Sequence, residues 1–228
     1  MPQLASAHFA RAVDHTLLDA MATGDAIDAL CDQAVARGFA AVCVYPHWVE
    51  RCARRLDGAV GVCAVVSFPH GLDVTAVKCE AARRGLAGGA TELDVVIRYG
   101  PLADGDSAAA AGDLTAVVEA ARRESAGAVV KAIVEAPLLN TRQLREACRV
   151  VAGSGADFAK SGSGWAGPVT VGQVAGMRST LPGGVRIKAA GGIRTADQAV
   201  ALIEAGADRI GTSSALAMLE ELEARVGA

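Results

Sequence analysis

The chain has 228 residues, 52% of them hydrophobic, 4% aromatic and 21% charged, with 26 glycines and a formal net charge of −3. That length allows one large or two small domains, and the globular composition excludes disorder, a collagen-like repeat and a disulfide miniprotein. Acids and bases are near balance and no Lys/Arg run occurs, so nucleic acid is not an expected partner and a small molecule is.

The apolar residues are mainly Ala, Val and Leu mixed with Gly, which suits closely packed buried strands and helices. Charges or glycines interrupt every apolar stretch well short of the roughly 20 residues a spanning helix needs, so no membrane partner is expected. Met1 to Ala12 shows no apolar run followed by a cleavage site, and Cys31, Cys43, Cys52, Cys63, Cys79 and Cys148 form no CxxC pair. Both features point to a cytoplasmic protein with reduced thiols.

Along the chain, short apolar or β-branched runs alternate with Ala-rich amphipathic stretches. A strand is predicted at Phe9–Asp14, a helix at Asp25–Arg37, strands at Phe39–Val44 and Val60–Val66, a helix at Thr75–Ala87 and a strand at Thr91–Ile97. A helix at Ala108–Arg123, a strand at Val129–Glu135, a helix at Thr141–Ala152 and a strand at Asp157–Lys160 follow. The pattern closes with a helix at Val169–Ser179, a strand at Val185–Ala189, a helix at Thr195–Ala205 and a strand at Arg209–Gly211. Runs apolar at consecutive positions, such as Ala128 to Val134, fit strands covered on both faces. Gly38, Gly85, Gly88 and Gly206 stand where helices should stop, and Thr141, Thr195 and Ser213 where they should start.

Units of about 28 residues use up the chain without a linker, so the expected fold is α/β, a single-domain (β/α)₈ TIM barrel over residues 1–228. An open doubly wound sheet shares the rhythm but accommodates eight units with an early strand less easily.

In such a barrel the active site gathers at the C-terminal ends of the strands. Those ends carry Asp14-His15-Thr16, Cys43, Ser67 to His70, Asp94, Lys131 with Glu135, Lys160 to Ser163, Lys188 and Gly211 to Ser214. Lysines and carboxylates converging on one mouth are costly in an apolar core, so function explains them better than packing does. Lys160 and Lys188 end successive strands; neighbouring amines repel, and the like charge lowers the pKa of the more buried one. A neutral lysine is the nucleophile of a Schiff-base enzyme; alternatively each lysine merely solvates the barrel mouth. Asp94 shares a strand face with Glu92 and needs a cationic partner, either as a structural ion pair or as a proton shuttle.

Gly191-Gly192 and Gly211 to Ser214, with Ser213 and Ser214 at a helix start, offer backbone N–H groups and helix dipoles to an anion; tight turns with caps are the plainer alternative. Ser161 and Ser163 follow Lys160, where they either bond a substrate or belong to a plain loop. His8, His15, His47 and His70 show no HxH or HExxH spacing, and Asp14 and His15 should face opposite ways, so no metal is expected.

Taken in order, Asp14 to Leu18, Val42 to Pro46, Phe68 to Gly71, Glu92 to Val96, Ala156 to Lys160, Lys188 to Arg194 and Gly211 to Ser214 resemble the deoxyribose-phosphate aldolase family, class I Schiff-base aldolases. The resemblance runs almost end to end. It implies that Lys160 forms a Schiff base with acetaldehyde, Lys188 lowers its pKa, and Asp94 takes part in a proton relay. It further implies a substrate pocket lined by Asp14, Thr16, Cys43, Lys131, Ser161 and Ser163, and a phosphate site at Gly191, Gly192, Gly211, Ser213 and Ser214. The substrate implied is a small phosphorylated sugar, 2-deoxy-D-ribose 5-phosphate, and no cofactor is called for. Homodimers are common for this fold, and one is expected here.

The chain departs from the family pattern in several places. The usual Lys-Thr-Ser-Thr-Gly is Lys160-Ser161-Gly162-Ser163-Gly164, and Trp165 stands where Phe or Lys is usual. Glu135-Ala136-Pro137 loses a hydroxyl, Arg98 is charged at a usually uncharged position, and Gly227-Ala228 replace the C-terminal Tyr of some members. These changes spare both lysines and Asp94, so they bear on the acceptor aldehyde more than on the chemistry. Two rival readings are a same-fold Schiff-base aldolase with another aldehyde pair, and a non-catalytic sugar-phosphate-binding barrel, which would not need the lysines.

Overall fold

Parallel strands that are apolar on both faces must be flanked by helices on each side of an open sheet or must close on themselves, and here they close. The computed structural model describes residues 6–226, so Gly227-Ala228 and the first five residues of Met1 to Ala12 lie outside the described residues. Helix α1 (Ser6–Ala10) precedes β1 (Val13–Leu17), α2 (Gly24–Arg37), β2 (Ala41–Val44), α3 (Val49–Leu56), β3 (Gly61–Val66), α4 (Thr75–Ala87) and β4 (Glu92–Val96). Then come α5 (Gly100–Ala103), α6 (Ser107–Glu124), β5 (Val129–Ile133), α7 (Thr141–Ser154), β6 (Phe158–Lys160) and α8 (Val171–Thr180). β7 (Arg186–Ala190), α9 (Ala196–Glu204), β8 (Arg209–Thr212) and α10 (Ala215–Val226) complete the chain. The eight strands form a closed barrel in sequence order, β8 pairing back onto β1, all parallel. The expected (β/α)₈ barrel is the fold.

Two local expectations fail for physical reasons. The first predicted strand begins too early: Phe9 and Ala10 belong to α1, which packs on α10, and the strand starts at Val13. A short apolar run does not distinguish a buried helical turn from a strand. Gly85 does not stop a helix; it lies inside α4, where an added Cβ would stand 3.4 Å from both Ala64 and Leu93, so it brings the helix close onto β3 and β4. Gly38 does end α2, in the left-handed conformation that glycine adopts freely.

Strand alternation sorts the barrel into two environments. Outward residues such as Val42, Leu93, Val130, Ile187 and Ile210 join the helices in one continuous apolar layer. His15 also turns outward, to Gln33 and the Phe39 ring, so Asp14 faces inward as alternation requires. The interior carries Cys43, Cys63 and Val65 as a small apolar cluster, with Phe158 also buried inside, and beside them lies a buried layer of charged side chains, Asp14, Glu92, Asp94, Lys131 and Lys188. Because all strands run the same way, their C-terminal ends open on one side of the barrel. No helix among the described residues is long and apolar enough to cross a membrane.

Candidate active site

Three inward positions meet beneath the C-terminal mouth. Asp94 from β4 accepts from Lys160 of β6 at 2.6 Å and from Lys188 of β7 at 2.7 Å, both through Oδ2. The strand register pairs Lys160 with Lys188 directly. Lys188 also reaches Asp14 Oδ2 at 2.5 Å. A layer lower, Lys131 of β5 donates to Asp14 Oδ2 at 3.0 Å and Asp94 Oδ1 at 3.1 Å and forms an ion pair with Glu92 Oε2 at 2.5 Å, and Arg209 of β8 pairs with Asp14 Oδ1. Cys63 donates to Asp94 Oδ1 at 3.1 Å, and Cys43 to Oδ2 at 3.7 Å.

These neighbours decide the charge states. Burial opposes ionisation of Asp94, but Lys131, Lys160 and Lys188 outweigh it and hold the carboxyl well below its ordinary range. Asp14 is held down in the same way, against burial, by Lys131, Lys188 and Arg209. For the lysines the expectation needs correcting. Lys188 is the more buried of the Lys160–Lys188 pair, yet its pKa is raised, because Asp14 and Asp94 outweigh both burial and the repulsion of nearby lysines. Lys131 is raised well above its ordinary value by Asp14 and Asp94, again against burial. Burial pushes the Cys63 thiol up, reinforced by Cys43 and the Asp94 charge.

Two groups of donor atoms lie within metal-binding reach of one another, Cys43 with Cys63 and Asp94, and Asp14 with Cys63 and Glu92. The Lys131 ammonium already touches Asp14, Cys63, Glu92 and Asp94, so the cation these groups would hold is supplied by the chain.

Above the charged layer a cleft of about 640 Å³ opens, with Lys160 on its floor. One side is apolar, formed by Leu17, Leu18, Phe68, Pro69 and Trp165. The Phe68 ring lies 5.8 Å from the Lys160 amine, and Trp165 meets His70 edge to face at 4.6 Å. The other side is made by Gly191, Gly192 and Arg194 after β7 and by Gly211, Thr212 and Ser213 of β8 and the loop that follows. Thr212 ties the two loops together, donating from Oγ1 to Ile193 O at 2.8 Å and accepting from Ser214 N at 2.9 Å. Thr195 caps α9 with a reciprocal bond to Gln198, so the first loop leads into a well-formed helix N-terminus.

This geometry matches known enzymes along the whole chain. The DeoC/LacD family aldolase model matches residues 9–221. The chain belongs to this aldolase family. A deoxyribose-phosphate aldolase of Rhodospirillum rubrum is 44% identical over 98% of this chain and 93% of its own length. One from Lysinibacillus sphaericus is 40% identical over 94% and 96% respectively. Among solved structures, a deoxyribose phosphate aldolase from Aeropyrum pernix, described as a unique tetramer, superposes with a TM-score of 0.88 at 34% identity, covering 97% of this chain and 93% of that one. The protein is thus a carbon–carbon lyase of the DeoC/LacD family, on a single-domain barrel.

In this aldolase, Thr16, Lys160, Ser163, Gly191, Gly192, Gly211 and Ser213 line the cleft. Asp94 and Lys188 lie directly under its floor, in contact with Lys160 or with its partner oxygen. Asp14, Cys43 and Lys131, expected in the pocket wall, lie deeper, inside the barrel. Ser161 is buried, its hydroxyl donating to Ala190 O and accepting from Ala190 N, both at 3.0 Å, so it staples β6 to β7. Ser214 sits behind Ser213, outside the cleft wall. Glu135 does not join the lysines: its carboxylate accepts from Ser163 N, and an added Cβ at Gly162 would stand 3.1 Å from it. Arg98 lies outside the barrel, near the buried Lys78–Asp113 pair.

Sequence reasoning missed Arg209 and Cys63. Both lie on inward strand faces, Arg209 two residues before Gly211 and Cys63 two before Val65, but away from the strand ends where the barrel pattern points.

Proposed function

We propose that this aldolase reversibly cleaves 2-deoxy-D-ribose 5-phosphate to acetaldehyde and D-glyceraldehyde 3-phosphate through a Schiff base on Lys160. The observation that carries the reading is a lysine amine on the cleft floor, anchored on a buried carboxylate it shares with a second lysine, facing two glycine loops across the cleft.

The neutral Lys160 amine adds to the substrate aldehyde carbon, and the carbinolamine loses water to give an iminium. Asp94, with Lys188 and water, takes the C3 hydroxyl proton; the C2–C3 bond breaks and its electrons pass into the iminium, releasing the phosphorylated aldehyde and leaving an enamine. Protonation of the enamine carbon and hydrolysis return acetaldehyde and the free lysine. A neutral Lys160 leaves Asp94 facing two ammonium groups in place of three, so its carboxylate is the stronger base when a base is needed. Backbone N–H groups at Gly191, Gly192 and Gly211, the Ser213 hydroxyl and the exposed Arg194 suit a phosphate, and Lys131, Asp14 and Cys43 support the site from below.

A same-fold aldolase with a different acceptor is the second reading, favoured by Trp165, whose indole lines the cleft where the family pattern carries Phe or Lys. The homodimer expected for the fold belongs to the proposal and is read from the native mass by light scattering. Borohydride reduction in the presence of acetaldehyde, followed by mass mapping, tests the chemistry: the adduct is expected on Lys160 and absent from Lys160→Ala. An adduct elsewhere, or turnover surviving in Lys160→Ala, sinks the mechanism. Parallel turnover of phosphorylated and unphosphorylated deoxyribose separates the two substrate readings.

A further inference from the structure

Arg209 opens β8 at the N-terminal end of the barrel, away from the cleft, and no step of the proposed reaction calls on it. Yet its guanidinium reaches the charged layer. Nη1 donates to Asp14 Oδ1 and lies 3.7 Å from Glu92 Oε2. Among the described residues it is the only side chain hydrogen-bonded to that Asp14 oxygen. The other oxygen, Oδ2, accepts from Lys188 at 2.5 Å and Lys131 at 3.0 Å. Arg209 therefore sets how the Asp14 carboxylate is turned, and that carboxylate holds Lys188 where it reaches Asp94 at 2.7 Å.

Charge counting gives this contact a chemical meaning. Lys131, Lys160, Lys188 and Arg209 are four cations around three carboxylates, Asp14, Glu92 and Asp94. One lysine can give up its proton and leave charges balanced. Without the arginine, three lysines would face three carboxylates, and removing any proton would leave an uncompensated negative charge in the barrel interior. Arginine suits this place because its guanidinium stays protonated at any working pH.

We propose that Arg209 is a positioning residue for the aldolase reaction, whose permanent charge on Asp14 lets Lys160 stand as a neutral amine while Lys131 and Lys188 keep their protons. The inference rests on the Schiff-base reading of Lys160. The titratable and charged groups around Arg209 are Asp14 from β1, Cys63 from β3, Glu92 from β4, Lys131 from β5, and Lys188 and Arg186 from β7; Arg186 and Arg209 stack on one Phe158 ring at 4.0 and 5.7 Å.

The test is the pH profile of kcat/KM for wild type, Arg209→Gln, Arg209→Lys and Glu92→Gln, after borohydride trapping has located the adduct in the wild type. The acid limb reports the ionisation of the free enzyme's essential groups. Removing a cation favours the protonated lysine, so in Arg209→Gln the limb moves up by about one pH unit, with about a tenfold loss on that limb that recovers at higher pH. Arg209→Lys keeps the wild-type limb. Glu92→Gln removes an anion from the same cluster and moves the limb down. A loss in Arg209→Gln that is equal at every pH, or a Glu92→Gln limb that stays or moves up, overturns the inference. If Arg209→Gln does not fold, the direction of the Glu92→Gln shift decides alone. An adduct absent from Lys160 in the wild type defeats the Schiff-base reading itself, whereas an adduct on Lys160 with unmoved limbs defeats only the role of Arg209.

Discussion

Lys160 and Lys188, paired directly across β6 and β7, reach the same oxygen of Asp94, at 2.6 and 2.7 Å. They differ in their other partners: Lys188 has a second carboxylate, Asp14, whereas Lys160 borders the cleft. The shared oxygen makes Lys188 the group that keeps Asp94 ionised and placed when Lys160 leaves it for substrate. Lys188→Met keeps the length and removes the charge. It is expected to lower kcat by about 10²- to 10⁴-fold, the range for loss of a proton-transfer group. Single-turnover borohydride trapping checks this, since the adduct should still map to Lys160 but form slowly. An adduct forming at the wild-type rate would assign Lys188 no part in the chemistry.

Asp14 holds three cations, Lys131, Lys188 and Arg209, in the barrel interior. Replacing it with Asn leaves them short of a counter-charge, and breaking a buried ion pair from one side costs about 3–5 kcal/mol. The pH dependence has a definite sign. Asp14 and Asp94 are lowered on folding, so their contribution is present above the unfolded carboxyl value of about 4 and is lost as pH falls through the depressed folded values. Lys131 and Lys188 are raised, so theirs is complete below about 10.4 and is lost only as pH rises through the higher folded values. Calorimetry across pH should therefore show a flat Tm through the neutral range, falling toward strong acid and strong base. Asp14→Asn should lower the plateau and soften the acid slope.

What could be read from the chain alone follows from what is local. Runs apolar at consecutive positions, such as Ala128 to Val134, announce strands buried on both faces, and glycine pairs announce turns, so the barrel and its mouth were legible. Asp94, Lys160 and Lys188 were found because they stand at or near strand ends. Depth along the barrel axis was not legible, because it depends on the stagger between strands, which no single segment encodes. Register sets Lys131 beside both Asp94 and Phe158, below Lys160, and that is why Lys131 and Asp14 support the site from inside instead of lining the pocket. Ser161 shows another limit: a hydroxyl next to a candidate nucleophile reads the same whether it meets substrate or, as here, the backbone of Ala190.

Trp165 is 56% exposed, lines the cleft and is held by the His70 ring on one side and by its own backbone bond to Ser163 Oγ at 3.1 Å. More than half of its area is open to solvent, so truncation should change stability by less than about 1 kcal/mol. Its apolar face continues the wall of Leu18, Phe68 and Pro69, where a bound substrate would cover it. Trp165→Ala is expected to raise KM about fivefold, equivalent to about 1 kcal/mol of lost aromatic contact, with Tm little changed. Steady-state kinetics and a melting curve on one preparation suffice. A fall in Tm with KM constant would move Trp165 from the substrate wall to the fold.

Gly192 gives the sharpest test of the anion side of the cleft. Its φ is +70°, and an added Cβ would lie 2.7 Å from Pro168 Cβ and 3.0 Å from Pro168 Cα. Neither atom belongs to a flexible side-chain end, so Gly192→Ala must shift the loop that carries the N–H groups of Gly191 and Gly192. Backbone N–H groups recognise a phosphate by close approach, and a displaced loop loses that contact while Lys160, on the barrel floor, is untouched. Discrimination is therefore the quantity to measure: kcat/KM for 2-deoxyribose 5-phosphate should fall about tenfold or more, about the loss of one hydrogen bond to a charged group, while kcat/KM for unphosphorylated 2-deoxyribose stays near wild type. Equal losses on both substrates would mean that the loop shapes the cleft without binding the phosphate.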